Sequence, residues 1–334
     1  MPDTALDSAP VTVPHPLVLL ISCPDRPGIV AAVAQALFDH GANILDLDHH
    51  TDATAGRFFA RFRFTPGPEV PMAVAPGGPA GSLASVGSAT TVAAAASLGS
   101  AAPGGGSADA HGPLRAAIAE LGARFDMELR LTSEADRKRL VVFVSKFDHC
   151  LWDLLLRHAA GELPCEIPLV ISNHPNLGRV AAQFGIRFEV IPVTSAGKAE
   201  AEARQRALLA EVRADVVVLA RYMQVLSPDF MGAWPNRIIN IHHSFLPAFQ
   251  GARPYHQAHE RGAKLTGATA HYVTTDLDDG PIIDQDVIRS SHRDTVEDLV
   301  RKGRDVERTV LARAVRWHLE DRILVHANRT VVFG

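Results

Sequence analysis

Cysteine, aromatic side chains and net charge are all scarce in this chain. Its 334 residues include three cysteines, Cys23, Cys150 and Cys165, and their spacing shows no pairing. That excludes a disulfide framework and a zinc ribbon, and it fits a reducing cytoplasm. Phe, Trp and Tyr make up 6% of residues against a hydrophobic content of 47%, so the cores are expected to be aliphatic. The formal net charge is −4 and no basic run occurs, which argues against nucleic acid as a partner. No apolar run approaches the roughly 18 residues of a membrane span. The N-terminus also lacks the basic-then-apolar pattern of a signal peptide. A soluble cytoplasmic protein with no membrane partner is therefore expected. There are 16 histidines but no His-Glu-x-x-His pattern. His256 and His259 are three apart; His49-His50 and His242-His243 are adjacent and would point oppositely on a strand. No metal is expected. The length favours two domains over one.

The first half reads as a small α/β module behind a loose tail, residues 1–15. Leu17 to Ser22 is an apolar β-like run, broken by Pro24-Asp25-Arg26-Pro27-Gly28. Ile29, Val33, Ala36 and Leu37 then recur at helical spacing, with Gly41 as the stop. Asn43 to His50 reads as a second strand. Arg57 to Phe64 alternates as a half-buried antiparallel strand does. Between Thr65 and Gly112 the sequence is almost wholly Ala, Gly, Ser, Pro, Val and Thr, with Glu69 and Asp109 as its only acidic or basic residues. This low-complexity stretch reads as a flexible insertion. After it, Leu114, Ile118 and Leu121 fit a helix, and Phe125 to Leu131 a closing strand. The order β-α-β-β-α-β is the ferredoxin-like split arrangement, assigned to residues 16–131 with the insertion at 65–112. A charged linker over 132–139 follows.

From Leu140 onward, uninterrupted apolar runs alternate with amphipathic segments. The strands expected are Leu140–Val144, Ile167–Asn173, Phe188–Ile191, Asp215–Leu219, Arg237–Asn240 and Pro281–Ile288. The helices expected are Cys150–Ala160, one around Arg179–Gln183, Ala199–Glu211 and Val296–Leu319. Thr330–Phe333 adds a short terminal strand. Such alternation implies a parallel sheet covered by helices, with the active site beyond the carboxyl ends of the strands. Asn240 and His242 stand at such an end, two apart, so their side chains project to one side. Asp278 follows on a Leu-Asp-Asp-Gly-Pro loop. An oxyanion donor, a proton carrier and a carboxylate together can handle a carbonyl. Taken singly, His242 is an ordinary strand-end histidine, Asp278 a turn residue and Asn240 a turn cap.

Two resemblances add to this. The turn Cys23–Val30 with Gly41-Ala42-Asn43-Ile44 resembles the ACT regulatory domain. That implies a small-molecule effector, such as an amino acid, or a partner subunit near Asp25, Gly28, Asn43 and Ile44. Read alone, Asp25 is an N-cap and Gly28 a turn glycine. In the second half, Asn240–Pro247, Gly251, Gly267–Val273 and Leu277–Ile283 resemble the folate-dependent formyltransferase family. The fold implied is an N-terminal ferredoxin-like ACT domain followed by a Rossmann-like, parallel-sheet formyltransferase domain over 140–334. By resemblance, Asn240, His242 and Asp278 are the catalytic residues. The loop Arg221, Tyr222, Met223, Gln224, Val225 and Leu226 lines a pterin pocket, largely through its backbone. Gly251, Arg253, Tyr255 and His256 border the opening, and His271 faces the site.

Within that family the deformylase branch fits best. The loop after the first strand, Ser145-Lys146-Phe147-Asp148-His149-Cys150, has no glycine with which backbone N–H groups would cradle a phosphate. Position 243 is histidine where the ribonucleotide enzymes usually carry proline. An ACT-like module precedes the domain. The branch implies hydrolysis of 10-formyltetrahydrofolate to tetrahydrofolate and formate, serving one-carbon and purine metabolism, with no cofactor beyond the folate and with a homo-oligomeric assembly. Two alternatives stay open at this point: transfer of the formyl group to an amine, and a regulator that binds folate or amino acid without turnover. Asp278 acts either as base toward the water or as the group that orients His242.

Overall fold

The computed structural model describes residues 15–67, 111–248 and 253–334. All of the expected tail but His15, all but the ends of the expected insertion, and Gly251 lie outside the described residues. Contacts divide the chain between Asp136 and Arg137.

The first unit is a four-stranded antiparallel sheet covered by two helices. Strands β1 (Leu17–Pro24), β2 (Asn43–Asp52), β3 (Arg57–Thr65) and β4 (Glu128–Ser133) lie in the order β2-β3-β1-β4. Helices α1 (Ile29–Asp39) and α2 (Gly112–Phe125) pack on one face. Leu17, Leu19 and Ile21 alternate along β1 into that core, meeting Phe58, Phe62 and Phe64 of β3 and Ile29, Val33 and Leu37 of α1. This is the ferredoxin-like order that the sequence implied. Gly28 opens α1 with φ 89° and Gly41 follows it with φ 69°, the left-handed region that glycine enters without a Cβ clash. Two expectations need correction. Phe125 belongs to α2, not to the closing strand; it is the last apolar side chain of the helix, and Asp126 (φ 57°) then reverses the chain. The linker is shorter than 132–139, because β4 runs on to Ser133 to complete its pairing with Leu17, and the next strand begins at Lys138.

The second unit is built on a seven-stranded sheet in the order β11-β10-β9-β8-β5-β6-β7. Strands β5 (Lys138–Val144), β6 (Cys165–Ser172), β7 (Arg187–Val190), β8 (Val216–Leu219) and β9 (Ile238–His242) are mutually parallel. Side chains alternate between two cores. Leu140, Val142 and Val144 pack with α3 (His149–Ala159), α4 (Gly178–Gln183) and α8 (Val296–Leu319). Val141 and Phe143 pack with α5 (Lys198–Glu211) and α6 (Pro228–Gly232). The inner strands β5, β6, β8 and β9 are largely buried on both faces and read as apolar runs, whereas β7, at the sheet edge, is only partly buried and carries Arg187 and Glu189. The sheet is not wholly parallel, however. β10 (Leu265–Tyr272) is antiparallel to β9, and β11 (Ile282–Arg289) is antiparallel to β10. β10 escaped the sequence reading because its small residues, Gly267-Ala268-Thr269-Ala270, give a weak apolar signal. Helix α6 and helix α7 (Pro254–Glu260) are too short to show a period. The terminal strand is one half of a hairpin, β12 (Ile323–His326) with β13 (Arg329–Val332).

No helix among the described residues is long and apolar enough to cross a membrane. All three cysteines are buried and unpaired.

Helix α8 starts with a reciprocal cap: the Thr295 hydroxyl accepts from the Asp298 N–H, and the Asp298 carboxylate accepts from the Thr295 N–H. Replacing Thr295 with Ala is expected to lower stability by about 1 kcal/mol, read as a lower urea midpoint with an unchanged slope.

Candidate active site

Strand alternation on β9 sorts its residues. Ile239 and Ile241 go to the core beneath α8, whereas Ile238 goes to the opposite one. Asn240 and His242 share the Ile238 side. In the register with β10, His271 stands opposite Asn240, and Thr269 opposite His242. An irregularity between Ala270 and His271 breaks the β10–β11 pairing at this level. Beyond His242 the chain is tied down from β10 and β11. The Thr269 hydroxyl donates to the Ser244 carbonyl and accepts from the Leu246 N–H, and the Gln285 amide donates to the Leu246 carbonyl.

Asp278 reaches this strand end from the loop between β10 and β11. It adopts φ 56°, a left-handed conformation uncommon outside glycine. The loop comes so close to β10 that a Cβ on Gly280 would fall 1.7 Å from the Tyr272 carbonyl oxygen and 3.3 Å from His271 Nδ1. Glycine at 280 is therefore what lets the carboxylate in. Asp278 Oδ2 lies 3.2 Å from His242 Nδ1, and Oδ1 lies 3.8 Å from His271 Nε2.

The hydrogen bonds set the orientation of these groups. His271 Nδ1 faces the Tyr272 carbonyl at 2.9 Å, which can only accept, so Nδ1 carries the proton. Burial lowers the His271 pKa, and the neighbouring His242 adds to this against the pull of Asp278 and the Tyr272 carbonyl. The neutral ring then offers its Nε2 lone pair to Asn240 Nδ2, 3.2 Å away. One Asn240 N–H is thereby fixed and the other is left for the cleft. His242 Nε2 is buried and has no partner among the described residues. Burial alone would raise the Asp278 carboxyl, but its hydrogen bond to His242 and the His242 charge bring it below the usual carboxylate value. His243 is pushed down to about 3, by burial first and then by Arg221.

These groups open into a cleft of about 580 Å³ that is also lined by Phe147, Met223, Val225 and Leu277, all apolar and exposed. A second polar cluster borders the same cleft. Glu307 of α8, 1% exposed, lies 2.8 Å from His149 Nε2, accepts from the Tyr255 hydroxyl at 2.7 Å, and has Arg221 Nε at 3.4 Å. Burial would raise the Glu307 pKa; His149 and Arg221, then Tyr255, more than offset this, and it is lowered. A Cβ on Gly303 would fall 2.0 Å from the Tyr255 hydroxyl, so glycine makes room for that ring against α8. His149, Cys150 and Glu307 bring ligand-type atoms within 4.8 Å of one another. The Arg221 guanidinium at the same carboxylate opposes a metal ion there.

A family model for formyl transferases matches residues 138–315, and one for the ACT domain matches 17–68. The formyltetrahydrofolate deformylase of Synechocystis sp. is 48% identical over 316 residues, 95% of this chain and 98% of that protein. The Bacillus subtilis formyltetrahydrofolate deformylase is 46% identical over 317 residues, 95% of this chain and 93% of that one. The crystal structure of a formyltetrahydrofolate deformylase from Pseudomonas syringae pv. tomato superimposes with a TM-score of 0.82 at 42% identity, covering 97% of this chain and 96% of that one. This chain belongs to the formyltetrahydrofolate deformylase family.

Within a deformylase fold the expected residues fall as follows. Asn240, His242, Asp278 and His271 come together at one end of β9. The loop 221–226 borders the cleft, but not every side chain in it is available to a ligand. Tyr222 points into the core, edge-on to Phe143 and bonded to Gln205, and Leu226 is also buried. Arg221 turns to Glu307 and lies over the Phe147 ring. Arg253, Tyr255 and His256 do line the cleft. In the ACT domain, Asp25 and Gly28 sit past the carboxyl end of β1, while Asn43 and Ile44 pair with Thr65 and Phe64 beside the start of β1. The two pairs lie at opposite ends of the sheet, about 25 Å apart, so one copy of the domain does not bring them together.

Sequence reasoning missed Ser145, His149 and Glu307. The glycine-poor loop after β5 holds the neighbouring loop: the Ser145 hydroxyl accepts from the Met223 N–H at 3.0 Å and donates to Asn173 Oδ1 at 2.7 Å. The available signal for Glu307 was a carboxylate on the apolar stripe Leu299, Gly303, Val310 and Ala314 of α8.

The His243 shift carries a stability prediction. Its unfolded form titrates near 6.5 and its folded form near 3. Between those values the unfolded chain binds more protons, so stability falls as pH falls. The loss from this group is up to about 1.4 kcal/mol per pH unit. Denaturant midpoints measured between pH 7 and 5 should fall less steeply in His243→Gln than in wild type.

Proposed function

We propose that this chain hydrolyses 10-formyltetrahydrofolate to tetrahydrofolate and formate, with no cofactor beyond the folate itself. The observation that carries the reading is the buried His242 Nε2 and the second Asn240 N–H, both without a partner among the described residues, with Asp278 on the other His242 ring nitrogen. Water attacks the formyl carbon and the carbonyl oxygen becomes an oxyanion. Asn240 donates to that oxygen, and His242 donates from Nε2 when both its nitrogens carry protons. Asp278 stays ionised and orients the His242 ring through Nδ1, so it acts through His242 rather than as the first base. The carbon–nitrogen bond then breaks with a proton delivered to N10, and formate leaves.

The pterin lies against the loop 221–226, read by its backbone groups with Met223 and Val225 supplying apolar contact. Gly251 is assigned to folate binding by the family resemblance alone. His271 serves by holding the Asn240 amide rather than by touching folate.

Wild-type protein given 10-formyltetrahydrofolate and no amine acceptor should release formate catalytically, with His242→Ala losing nearly all of the rate. Absence of formate without an acceptor would defeat the hydrolytic reading. Asn240→Ala should cost about 10²–10³-fold in kcat. Asp278→Asn should bind folate with an affinity close to wild type and lose about 10²-fold or more in kcat; a large loss of affinity with kcat intact would contradict its place beside His242.

The protein is further proposed to be a cytoplasmic homo-oligomer controlled by a small effector, such as an amino acid, at its ACT domain. Because Asp25 and Gly28 lie far from Asn43 and Ile44 within one copy, a site using both pairs takes residues from two copies. Sedimentation should find an oligomer, and equilibrium dialysis of the full chain should find amino-acid binding that Gly28→Ala weakens. A monomer, or binding untouched by that change, would count against this arrangement.

A further inference from the structure

His243 has no task in the chemistry above, yet it lines the same cleft. Its ring centre lies 5.2 Å from that of His242 and 6.0 Å from that of Tyr255. The charged groups felt by this ring are Arg221, Glu307, His242 and Asp278. The carboxylates among these are engaged: Asp278 with His242, Glu307 with His149 and Tyr255. The Arg221 guanidinium lies over Phe147 and against Glu307. Among the described residues the His243 ring takes no hydrogen bond. A polar ring at a cleft wall with no protein partner finds its partner in what fills the cleft.

The surroundings decide which form of the ring is present. Burial and the Arg221 charge both oppose an imidazolium here, outweighing Glu307 and Asp278. A neutral imidazole offers one lone pair as a hydrogen-bond acceptor. The ring is too weak a base to keep a proton, but it can accept a hydrogen bond from a water and fix its direction. The His243 and His242 ring centres are 5.2 Å apart, so a water held by His243 lies beside the ring to which the hydrolytic reading assigns the formyl oxygen.

We propose that His243 is a positioning residue that accepts a hydrogen bond from the attacking water, aims its oxygen at the formyl carbon, and so favours water over an amine as the nucleophile. The proposal rests on the hydrolytic reading. One carbon–oxygen bond forms and the carbon–N10 bond breaks. One water proton ends on N10, and the other is lost as formic acid ionises to formate. His243 begins and ends neutral.

The test separates water positioning from a general loss of the site. Wild type and the variants His243→Ala, His243→Phe and His243→Gln are each given 10-formyltetrahydrofolate, with and without hydroxylamine. Hydroxylamine is a stronger nucleophile than water and depends less on being aimed; it captures the formyl group as a hydroxamate, read by its iron colour. The Phe variant keeps a ring in place and accepts nothing, while Gln can accept. Formate release should fall about tenfold or more in the Ala and Phe variants, with KM for the folate within about threefold of wild type. The hydroxamate-to-formate ratio should rise about tenfold in both, and Gln should restore most of the hydrolysis. Parallel loss of both products, or a Phe variant that hydrolyses as fast as wild type, would overturn the role of His243 alone. A wild type that releases no formate would overturn the hydrolytic reading beneath it.

Discussion

The contact between Asp278 and His242, 3.2 Å across the end of β9, is the interaction on which the rest of the site depends. A carboxylate this sheltered is stable as an anion only beside a donor, and the imidazole is that donor. The sequence supports the contact from both sides. Strand β9 places His242 and Asn240 on one face, and β10 adds His271 opposite Asn240. The β10–β11 loop delivers Asp278 through a left-handed residue and a glycine at 280 that tolerates no side chain. With Nδ1 directed to Asp278, the remaining nitrogen of His242, a residue of the cleft lining, is buried with no partner among the described residues. That nitrogen and the free N–H of Asn240 are the two donors that a developing oxyanion needs.

A second constraint lies deeper. Glu307 draws together α8, the start of α3, the loop after β8 and α7, each of which borders the cleft. A buried carboxylate on a long helix costs stability unless it is fully partnered. Here three side chains partner it, and Gly303 is given over to the approach of Tyr255. The loop after β5, which lacks the glycines of a phosphate cradle, fastens Met223 through Ser145 and Arg221 through Phe147. The cleft wall on this side is built of side chains bonded to one another, consistent with a reaction whose acceptor is as small as water.

Much of this was legible from residues alone. The inner parallel strands β5, β6, β8 and β9 announced themselves as apolar runs because both of their faces are largely buried. Helix α8 was legible over Val296–Leu319, the bounds that it adopts. Strand alternation and a downstream Asp-x-Gly loop grouped Asn240, His242 and Asp278, but their catalytic roles came from the resemblance to formyltransferases. What was hidden depends on contacts distant in sequence. Strand β10 is built of small residues and is specified by its neighbours. Phe125 sits in a helix because it completes the core of the first unit, a matter of packing and not of propensity. His149, Tyr255 and Glu307 are far apart in the chain and meet only through the fold. The wide separation of Asp25 and Gly28 from Asn43 and Ile44 likewise follows from the antiparallel register and from no local pattern.

The account places the formyl group at one point in the cleft, so the most direct measurement is a crystal structure with a non-hydrolysable folate analogue carrying a carbonyl at the formyl position. The carbonyl oxygen should lie within about 3 Å of both Asn240 Nδ2 and His242 Nε2, with the pterin against residues 221–226 and the Asp278–His242 contact intact. A carbonyl bound away from these two nitrogens, or a His242 ring turned from Asp278 in the complex, would contradict it.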